Sequence, residues 1–225
     1  MTIPSFRNIW KNDKGFTWML AVTIITLIST QFTHGITGEG KFSLRLGFFL
    51  FTLIAVRSSS LSSFGKLIGY IISTATLILA VIMIGTEPPY LHLVYALLVT
   101  GYMIYIIALI VGQIFASQMI TSHSIAGGVA VYIALGHVCS SLYLTIYLIQ
   151  PDAFQYGGNP IPSDDAGRQL SYFSFVTLTT LGYGDITAVN PIARIVVMLE
   201  ALLGQIFPAI FIAKLVSQHM TSRVK

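Results

Sequence analysis

The sequence predicts an all-α membrane protein with six transmembrane helices and a shorter re-entrant helix and loop between the fifth and the sixth. The chain has 225 residues, of which 55% are hydrophobic and 9% charged, whereas a soluble domain carries about 25% charged residues. Several uncharged runs are long enough to cross a bilayer, which takes about 20 residues. One apolar stretch in the C-terminal third is too short to cross, and a Gly-containing loop follows it.

The first four predicted helices lie in the N-terminal half of the chain. They follow a polar segment over 1–15, which we expect in the cytoplasm. The first apolar run has no convincing small-residue cleavage site, so we interpret it as a transmembrane helix and not as a signal peptide. The second helix contains Arg57, whose long side chain we expect to reach the inner interface. The four predicted spans are 16–33, 46–64, 67–86 and 90–116.

The next part of the chain begins with a long uncharged run. No Asp, Glu, Lys or Arg occurs between Tyr90 and Gln150, a run that is too long for one helix and fits two. A polar break over 117–124 separates the fourth helix from the fifth. A polar stretch with several Gly and Pro follows, and the apolar segment after it predicts the re-entrant helix. Asn190 and Pro191 then suit the cap and the first position of the sixth helix.

The loop after the re-entrant helix carries the most specific pattern in the chain. Residues 177–185 read Thr-Leu-Thr-Thr-Leu-Gly-Tyr-Gly-Asp. Successive carbonyls that point the same way need alternating backbone conformations, some with positive φ, which Gly182 and Gly184 adopt at little steric cost. Rings of such carbonyls replace the hydration shell of a K⁺ ion. The Thr180 hydroxyl adds an oxygen at the inner end, so the pattern suits a binding site for dehydrated cations.

This loop resembles the selectivity filter of potassium channels, T-x-x-T-x-G-Y-G-D, at every fixed position. The family is the six-transmembrane-segment tetrameric cation channel superfamily, and the chain is most similar to prokaryotic members without arginines in the fourth segment. The resemblance is specific over 170–220 and only topological before that. It implies K⁺ binding at Thr180, Leu181, Gly182 and Tyr183, with Gly184 completing the filter. It implies support of the filter by Thr177, Thr179, Asp185 and Tyr172.

The resemblance implies passive, K⁺-selective conduction through a homotetramer in a lipid bilayer, because each chain supplies one quarter of each oxygen cage. It implies neither an enzyme activity nor a nucleic-acid partner, and no cofactor apart from K⁺ in the filter. The sequence does not identify a regulatory ligand or subunit. Two alternatives remain open, namely a poorly selective cation channel and a regulatory subunit that co-assembles with other channel chains.

The domain boundaries and the topology follow from the spans and the resemblance. With both termini in the cytoplasm, eight of the 12 Lys and Arg residues fall on the inner side and four on the outer side, as expected for a multi-pass protein of the plasma or bacterial inner membrane. The predicted parts are a cytoplasmic segment 1–15, a voltage-sensor-like four-helix domain without gating charges 16–116, and a pore domain 117–225. The pore domain comprises an outer helix 124–150, a turret 151–169, a pore helix 170–180, the filter 180–185 and an inner helix 190–219.

Two features of the predicted inner helix suggest where it moves. Gly204 falls where relatives have a hinge glycine, and Pro208 removes a backbone donor and tends to kink a helix. The alternative is close packing at the Gly and a tolerated Pro, since both residues are common in membrane helices. Helical spacing brings Ile212 and Val216 to the same face as Pro208, where apolar rings gate by dewetting. These four residues are the gating candidates.

Two ionisable residues, His137 and Glu200, fall within the predicted outer and inner helices. Such groups usually pair or line a cavity, and histidine titrates near neutral pH. We therefore expect the two residues to form a pair, either as a structural contact or as a pH sensor.

The fourth predicted helix carries no charged side chain between Tyr90 and Ala116. Moving one charge through the membrane field contributes about 2.3 kcal/mol per 100 mV, and steep gating needs several charges in each subunit. The sequence therefore predicts a channel that is not gated by voltage through this helix, with Arg57 contributing at most one charge per subunit.

Overall fold

The computed structural model describes residues 15–32, 39–59, 61–83, 89–116 and 121–223. Seven α-helices account for most of these residues: α1 Gly15–Gln31, α2 Glu39–Ser58, α3 Ser63–Ile82, α4 Pro89–Ala116, α5 Ser122–Ile149, α6 Ala166–Leu178 and α7 Pro191–Arg223. Four helices, α3, α4, α5 and α7, are long and apolar enough to cross a membrane, whereas α1 is a shorter apolar helix of 17 residues. The prediction of a mostly helical membrane protein is therefore confirmed.

The structure changes the predicted boundary between the second and third helices. The predicted second span continued to residue 64, but α2 ends at Ser58 and α3 begins at Ser63. The Ser62 side chain accepts a hydrogen bond from the Gly65 N–H at 3.2 Å and so caps α3. Arg57 consequently lies in the last turn of α2, with an exposed side chain, and is not inside a helix that continues past it.

The pore-side helices also differ slightly from their predicted bounds. Helix α6 covers 166–178 where the sequence predicts a helix over 170–180. It ends before Thr180, whose φ of 57° is incompatible with an α-helix. The outer helix α5 and the inner helix α7 begin and end within a few residues of their predictions. The predicted N-terminal segment lies outside the described residues apart from Gly15, as do the predicted span ends at 33 and 84–86.

The largest buried core joins residues of α1, α2, α3 and α4 to α5. Helices α1 and α4 both pack on α5. On α5, Ala130, Val131, Ala134 and Val138 are small or branched and nearly inaccessible to solvent, which allows this close approach. The cluster also contains Phe16 and Met19 of α1, Phe51, Ala55 and Val56 of α2, and Val99, Tyr102, Met103, Ile106, Ile107, Ile110 and Ile114 of α4, with Phe211 of α7. The predicted division near residue 117 therefore runs through a continuous core.

A small antiparallel sheet combines two strands of the predicted turret with one strand that follows residue 185, although the sequence suggested only polar surface in the turret. Its strands are β1 Phe154–Tyr156, β2 Asn159–Pro160 and β3 Ile186–Ala188, in the order β2-β1-β3. β1 and β2 form a hairpin, and β3 comes directly after the filter loop. The sheet closes over a second core that contains Tyr143, Phe154 and Phe173. It thereby connects the turret to both ends of the pore segment.

Candidate functional site

The helix that leads into the filter loop is fixed at its N-terminus by an acidic residue. Asp165 precedes α6 and is buried. Its carboxylate accepts hydrogen bonds from the Arg168 Nε and a terminal guanidinium nitrogen at 2.6 and 2.5 Å, and from Gln169 at 2.9 Å. This two-point pairing raises the pKa of Arg168 above its usual value. A carboxylate at this end also complements the helix dipole.

The backbone of the predicted filter loop alternates between positive and negative φ. Thr180, Gly182 and Gly184 have φ values of 57°, 56° and 79°. The sequence predicts positive φ at the two glycines, whereas the same conformation at Thr180 costs a residue with a Cβ some strain. Such strain is maintained when the surrounding structure holds the backbone in place.

Hydrogen bonds from the filter to α6 hold the inner half of the loop. The Val176 carbonyl accepts from the Leu181 and Gly182 N–H groups at 2.9 and 3.2 Å, and the Thr177 carbonyl accepts from the Thr180 N–H at 2.9 Å. In the described part of the chain, nothing donates to the carbonyls of residues 180–184. The loop donates its N–H groups to the pore helix and leaves a series of carbonyl oxygens available for a ligand.

Asp185 holds the outer end of the loop. The Tyr172 hydroxyl donates to one Asp185 carboxylate oxygen at 2.9 Å, and the Ile186 N–H donates to the other at 3.0 Å. The Asp185 carbonyl accepts from the Gly157 N–H at 2.9 Å, at the end of the β1–β3 pairing. Tyr172 and Asp185, both expected to support the filter, are therefore brought together. The contribution of the turret hairpin was missed, although the Gly157-Gly158 pair between two short strand-forming stretches is a known hairpin signal.

The side chains of the filter lie on the surface of the single chain. Leu181 is 55% exposed and Tyr183 is 66% exposed, so neither side chain packs into the core of its own chain. Thr177 is buried under the loop, whereas Thr179 is exposed and its hydroxyl donates to the Phe175 carbonyl at 2.7 Å. The exposed face leaves Leu181 and Tyr183 accessible to a neighbouring chain.

The gating candidates separate into two groups in the structure. Gly204 is buried and faces the end of α6, where an added Cβ would overlap the Leu178 carbonyl. Pro208 is half-buried inside α7, while Ile212 and Val216 are 58% and 57% exposed. The geometry at Gly204 agrees with the close-packing alternative, and the two exposed side chains further along α7 lie on an accessible surface of the single chain.

The Tyr132 hydroxyl lies between two backbone carbonyls at the junction of three helices. It donates to the Leu178 carbonyl at 3.0 Å and lies 3.5 Å from the Gly204 carbonyl. α6 ends at Leu178, and Pro208 has no N–H to offer to the carbonyl four residues before it. Both carbonyls therefore lack the usual helical donor. Sequence reasoning missed Tyr132, because nothing local marks a tyrosine that reaches across two helices.

The predicted pair of His137 and Glu200 is not formed. The His137 ring lies between Phe48 and Phe175, with its Nε2 3.5 Å from the Thr23 carbonyl. Glu200 is buried and is contacted instead by the hydroxyls of Tyr143 and Ser174. The two residues belong to neighbouring helices but face different partners, because α5 presents His137 toward α1 and α2. The prediction of a His137–Glu200 pair was therefore wrong.

Arg45, one of the four cations that the predicted topology assigns to the outer side, is buried in the structure. It is 8% exposed, donates to the Ala80 carbonyl at 3.0 Å, and its guanidinium carbon lies 5.3 Å from the centre of the Tyr95 ring. A cavity of about 10 Å³ beside it is lined also by Thr52 and Thr76 and has room for about one water molecule. The contacts join α2, α3 and α4.

Comparison with known proteins agrees with the location of the site. Residues 158–220 match the family described as ion channel. Protein LctB of Geobacillus stearothermophilus is 39% identical over 80 residues, which cover 33% of this chain and 59% of that protein. The chain thus spans about 59% of the length of this curated relative. No solved structure gave a significant match.

Proposed function

We propose that the chain belongs to the tetrameric cation channel family and that four copies of it form a K⁺-selective channel, which the match of residues 158–220 to the ion channel family and the similarity to protein LctB support. The observation that carries this proposal is the filter backbone. Its positive φ values at Thr180, Gly182 and Gly184 occur in a loop whose carbonyls receive no donor from the described residues. Stacked carbonyls of four such loops, with the Thr180 hydroxyls, are suited to replace the hydration shell of K⁺.

The need for further copies is supported by the surfaces left uncovered. Only 17% of an 18-residue apolar window within Pro191–Ser217 is buried within the chain. Exposed apolar side chains on α7 include Met198, Leu199, Leu202, Leu203, Ile206 and Ile210. Lipid can cover some of this surface, but the exposed filter residues need protein neighbours, because irregular backbone at membrane depth is tolerated only in protein or beside a water-filled cavity. A homotetramer with one filter at its axis meets both requirements.

The proposed mechanism is passive conduction. Hydrated K⁺ enters a cavity between the α7 helices, and the carboxyl-terminal end of α6 faces it with the negative end of the helix dipole. The ion then exchanges water for carbonyl oxygens of residues 180–183. Asp185 places negative charge near the outer end. Conduction needs sites that bind K⁺ tightly enough for the ion to enter and weakly enough for it to leave. Several adjacent sites meet both needs, because an ion that enters one site displaces the ion in the next.

The proposed topology has six spans, with α1 and α2 added to the four long apolar helices, and both termini in the cytoplasm. α2 carries Arg45 and Arg57, and the partners of Arg45 inside the bundle are compatible with a helix that crosses the membrane. The plasma or bacterial inner membrane is the proposed location, since the positive charges then fall mainly on the cytoplasmic side.

The experiment that tests the function is a measurement of reversal potentials in liposomes that hold the purified protein under K⁺ and Na⁺ gradients. We expect permeation by K⁺ and Rb⁺, little by Na⁺, and block by Ba²⁺. Gly182→Ala and Gly184→Ala should remove selective flux, because an added Cβ opposes positive φ. Equal K⁺ and Na⁺ permeability would instead indicate a poorly selective channel. Flux that appears only with other channel chains present would indicate a regulatory subunit.

A further inference from the structure

A buried carboxyl group connects the three helices behind the filter. Glu200 of α7 is 1% exposed. One of its oxygens lies 2.5 Å from the Ser174 hydroxyl of α6, and the other accepts from the Tyr143 hydroxyl of α5. The Ser174 hydroxyl also lies 2.7 Å from the Gly136 carbonyl of α5. The Glu200 carboxyl of α7 thus contacts one hydroxyl from α5 and one from α6, away from the conduction path proposed above.

The hydrogens available to this cluster determine its protonation state. Ser174 has one hydroxyl hydrogen but lies within hydrogen-bond distance of two oxygens, Glu200 Oε1 and the Gly136 carbonyl. A Glu200 carboxylate could only accept, so one of these short contacts would then bring two acceptors together. A carboxylic acid removes the conflict, because Glu200 donates to Ser174 and Ser174 donates to Gly136. Tyr143 donates to the remaining Glu200 oxygen.

The surroundings of Glu200 favour the neutral form. The titratable side chains that face it are Tyr143, Cys139 and Tyr132, all from α5, and the partner from α6 is the non-titratable Ser174. No lysine, arginine or histidine of the described residues pairs with it. A carboxylate without a cation in a buried site is costly, whereas a neutral acid with complete hydrogen bonding is not.

The same contacts determine the position of the filter. Ser174 and Leu178 are one turn apart on α6, and they meet Glu200 and Gly204, which are one turn apart on α7. Between them on α6 lies Val176, whose carbonyl accepts from the filter N–H groups of Leu181 and Gly182. A shift of α6 at Ser174 would therefore move the carbonyl that anchors the loop.

We propose that Glu200 is a protonated positioning residue, whose acid hydrogen links the inner helix to Ser174 and thereby holds the pore helix and the filter in register. The proposal rests on the proposed channel function for its effect on selectivity, while the proton itself is independent of that function. Loss of the proton would leave Ser174 with one hydrogen for two acceptors and would release either Gly136 or Glu200.

Infrared spectroscopy tests the proton without any conduction assay. At neutral pH, the spectrum of the wild-type protein should contain a protonated-carboxyl C=O band that disappears in Glu200→Gln, with the carboxylate bands unchanged. Loss of a carboxylate band in place of the acid band would overturn the proposal. Because this readout needs only the folded protein in lipid, it stays valid even if the wild-type protein conducts no K⁺.

Ion selectivity in liposomes tests the positioning role. The amide of a glutamine at position 200 can donate to Ser174 and accept from Tyr143, so Glu200→Gln should keep the wild-type K⁺ to Na⁺ permeability ratio. Ser174→Ala removes the hydroxyl and should lower this ratio several-fold. Ser171→Ala is the matched control, because its hydroxyl lies one turn away on α6, is buried, and has no hydrogen-bond partner among the described residues. Equal loss of selectivity in the Ser171 and Ser174 variants would refute the positioning role. A lowered K⁺ to Na⁺ permeability ratio in Glu200→Gln would also refute it.

Discussion

The backbone of Gly204 packs directly against the carbonyl group of Leu178, so that a Cβ on Gly204 would overlap the oxygen and lie 2.8 Å from the carbonyl carbon. Backbone atoms cannot move aside as the end of a long side chain can. The contact joins α7 to the residue at which α6 ends, four residues before Gly182, whose N–H donates to the Val176 carbonyl. Glycine at 204 therefore has a packing role whether or not the helix also bends there.

Gly204→Ala should disrupt the pore segment. The methyl group must push α7 away from α6, and overpacking of this kind typically costs about 1–3 kcal/mol. We expect a lower melting temperature in detergent or lipid and loss of selective K⁺ flux. Gly101→Ala is the matched control, because a Cβ there meets nothing within 4 Å and α4 gains a better helix former. If Gly204→Ala were as stable and selective as Gly101→Ala, the packing role would be wrong.

Tyr132→Phe should alter channel opening. The hydroxyl lies between the Leu178 and Gly204 carbonyls, neither of which has its usual helical donor, so it connects the end of the pore helix to the segment beside Pro208. Removing it should cost about 1 kcal/mol of stability and should shift the open probability measured in single-channel recordings.

Tyr147→Phe provides a control for Tyr132→Phe. Tyr147 is also on α5 and donates its hydroxyl to a backbone carbonyl, that of Ile161 in the turret, at 2.9 Å. Both variants should lose similar thermal stability, but only Tyr132→Phe should change the open probability. Equal effects of the two variants on opening would show that Tyr132 is merely structural.

Ile212→Asp and Val216→Asp should raise the basal K⁺ flux. Both side chains are exposed on α7 in the single chain, and in the proposed tetramer they form apolar rings that exclude water when the pore is closed. A ring of carboxylates would keep the constriction wet and attract cations. Tracer uptake of Rb⁺ into liposomes measures the effect, with Ile195→Asp, an exposed α7 position nearer the outer end, as the comparison. Unchanged uptake in both gate variants would exclude a dewetting gate at these positions.

The sequence predicted the features of the site that depend on local chemistry. Apolar run length predicted the long helices, and the glycine pattern predicted positive φ at Gly182 and Gly184. Contacts between distant residues were not predictable, because they depend on how each helix is rotated about its axis. His137 and Glu200 lie on adjacent helices, as expected. The rotation of α5 about its axis directs His137 toward Thr23, so that Glu200 contacts Ser174 and not His137.

The interior position of Arg45 could not be predicted for a related reason. Arg45 directly precedes the uncharged run of the second helix, and the sequence alone suits an interfacial residue equally well. Only the packing of α2 against α3 and α4 provides the Ala80 carbonyl and the Tyr95 ring that receive the guanidinium. Arg57 is exposed at the end of α2, whereas Arg45 is the cation buried among the first four helices.

The open probability should depend only weakly on voltage, and any dependence on the four-helix domain should involve Arg45. α4 contains no charged side chain, and steep gating takes about 3–4 charges in each subunit, at about 2.3 kcal/mol per charge per 100 mV. One Arg45 per subunit, held by a carbonyl and a ring, supplies at most a shallow response. Single-channel recordings in symmetric K⁺ over several hundred millivolts, with wild type, Arg45→Gln and Arg57→Gln, provide the measurement. A steep curve equivalent to several charges per subunit, or a slope that changes with Arg57→Gln and not with Arg45→Gln, would contradict this assignment.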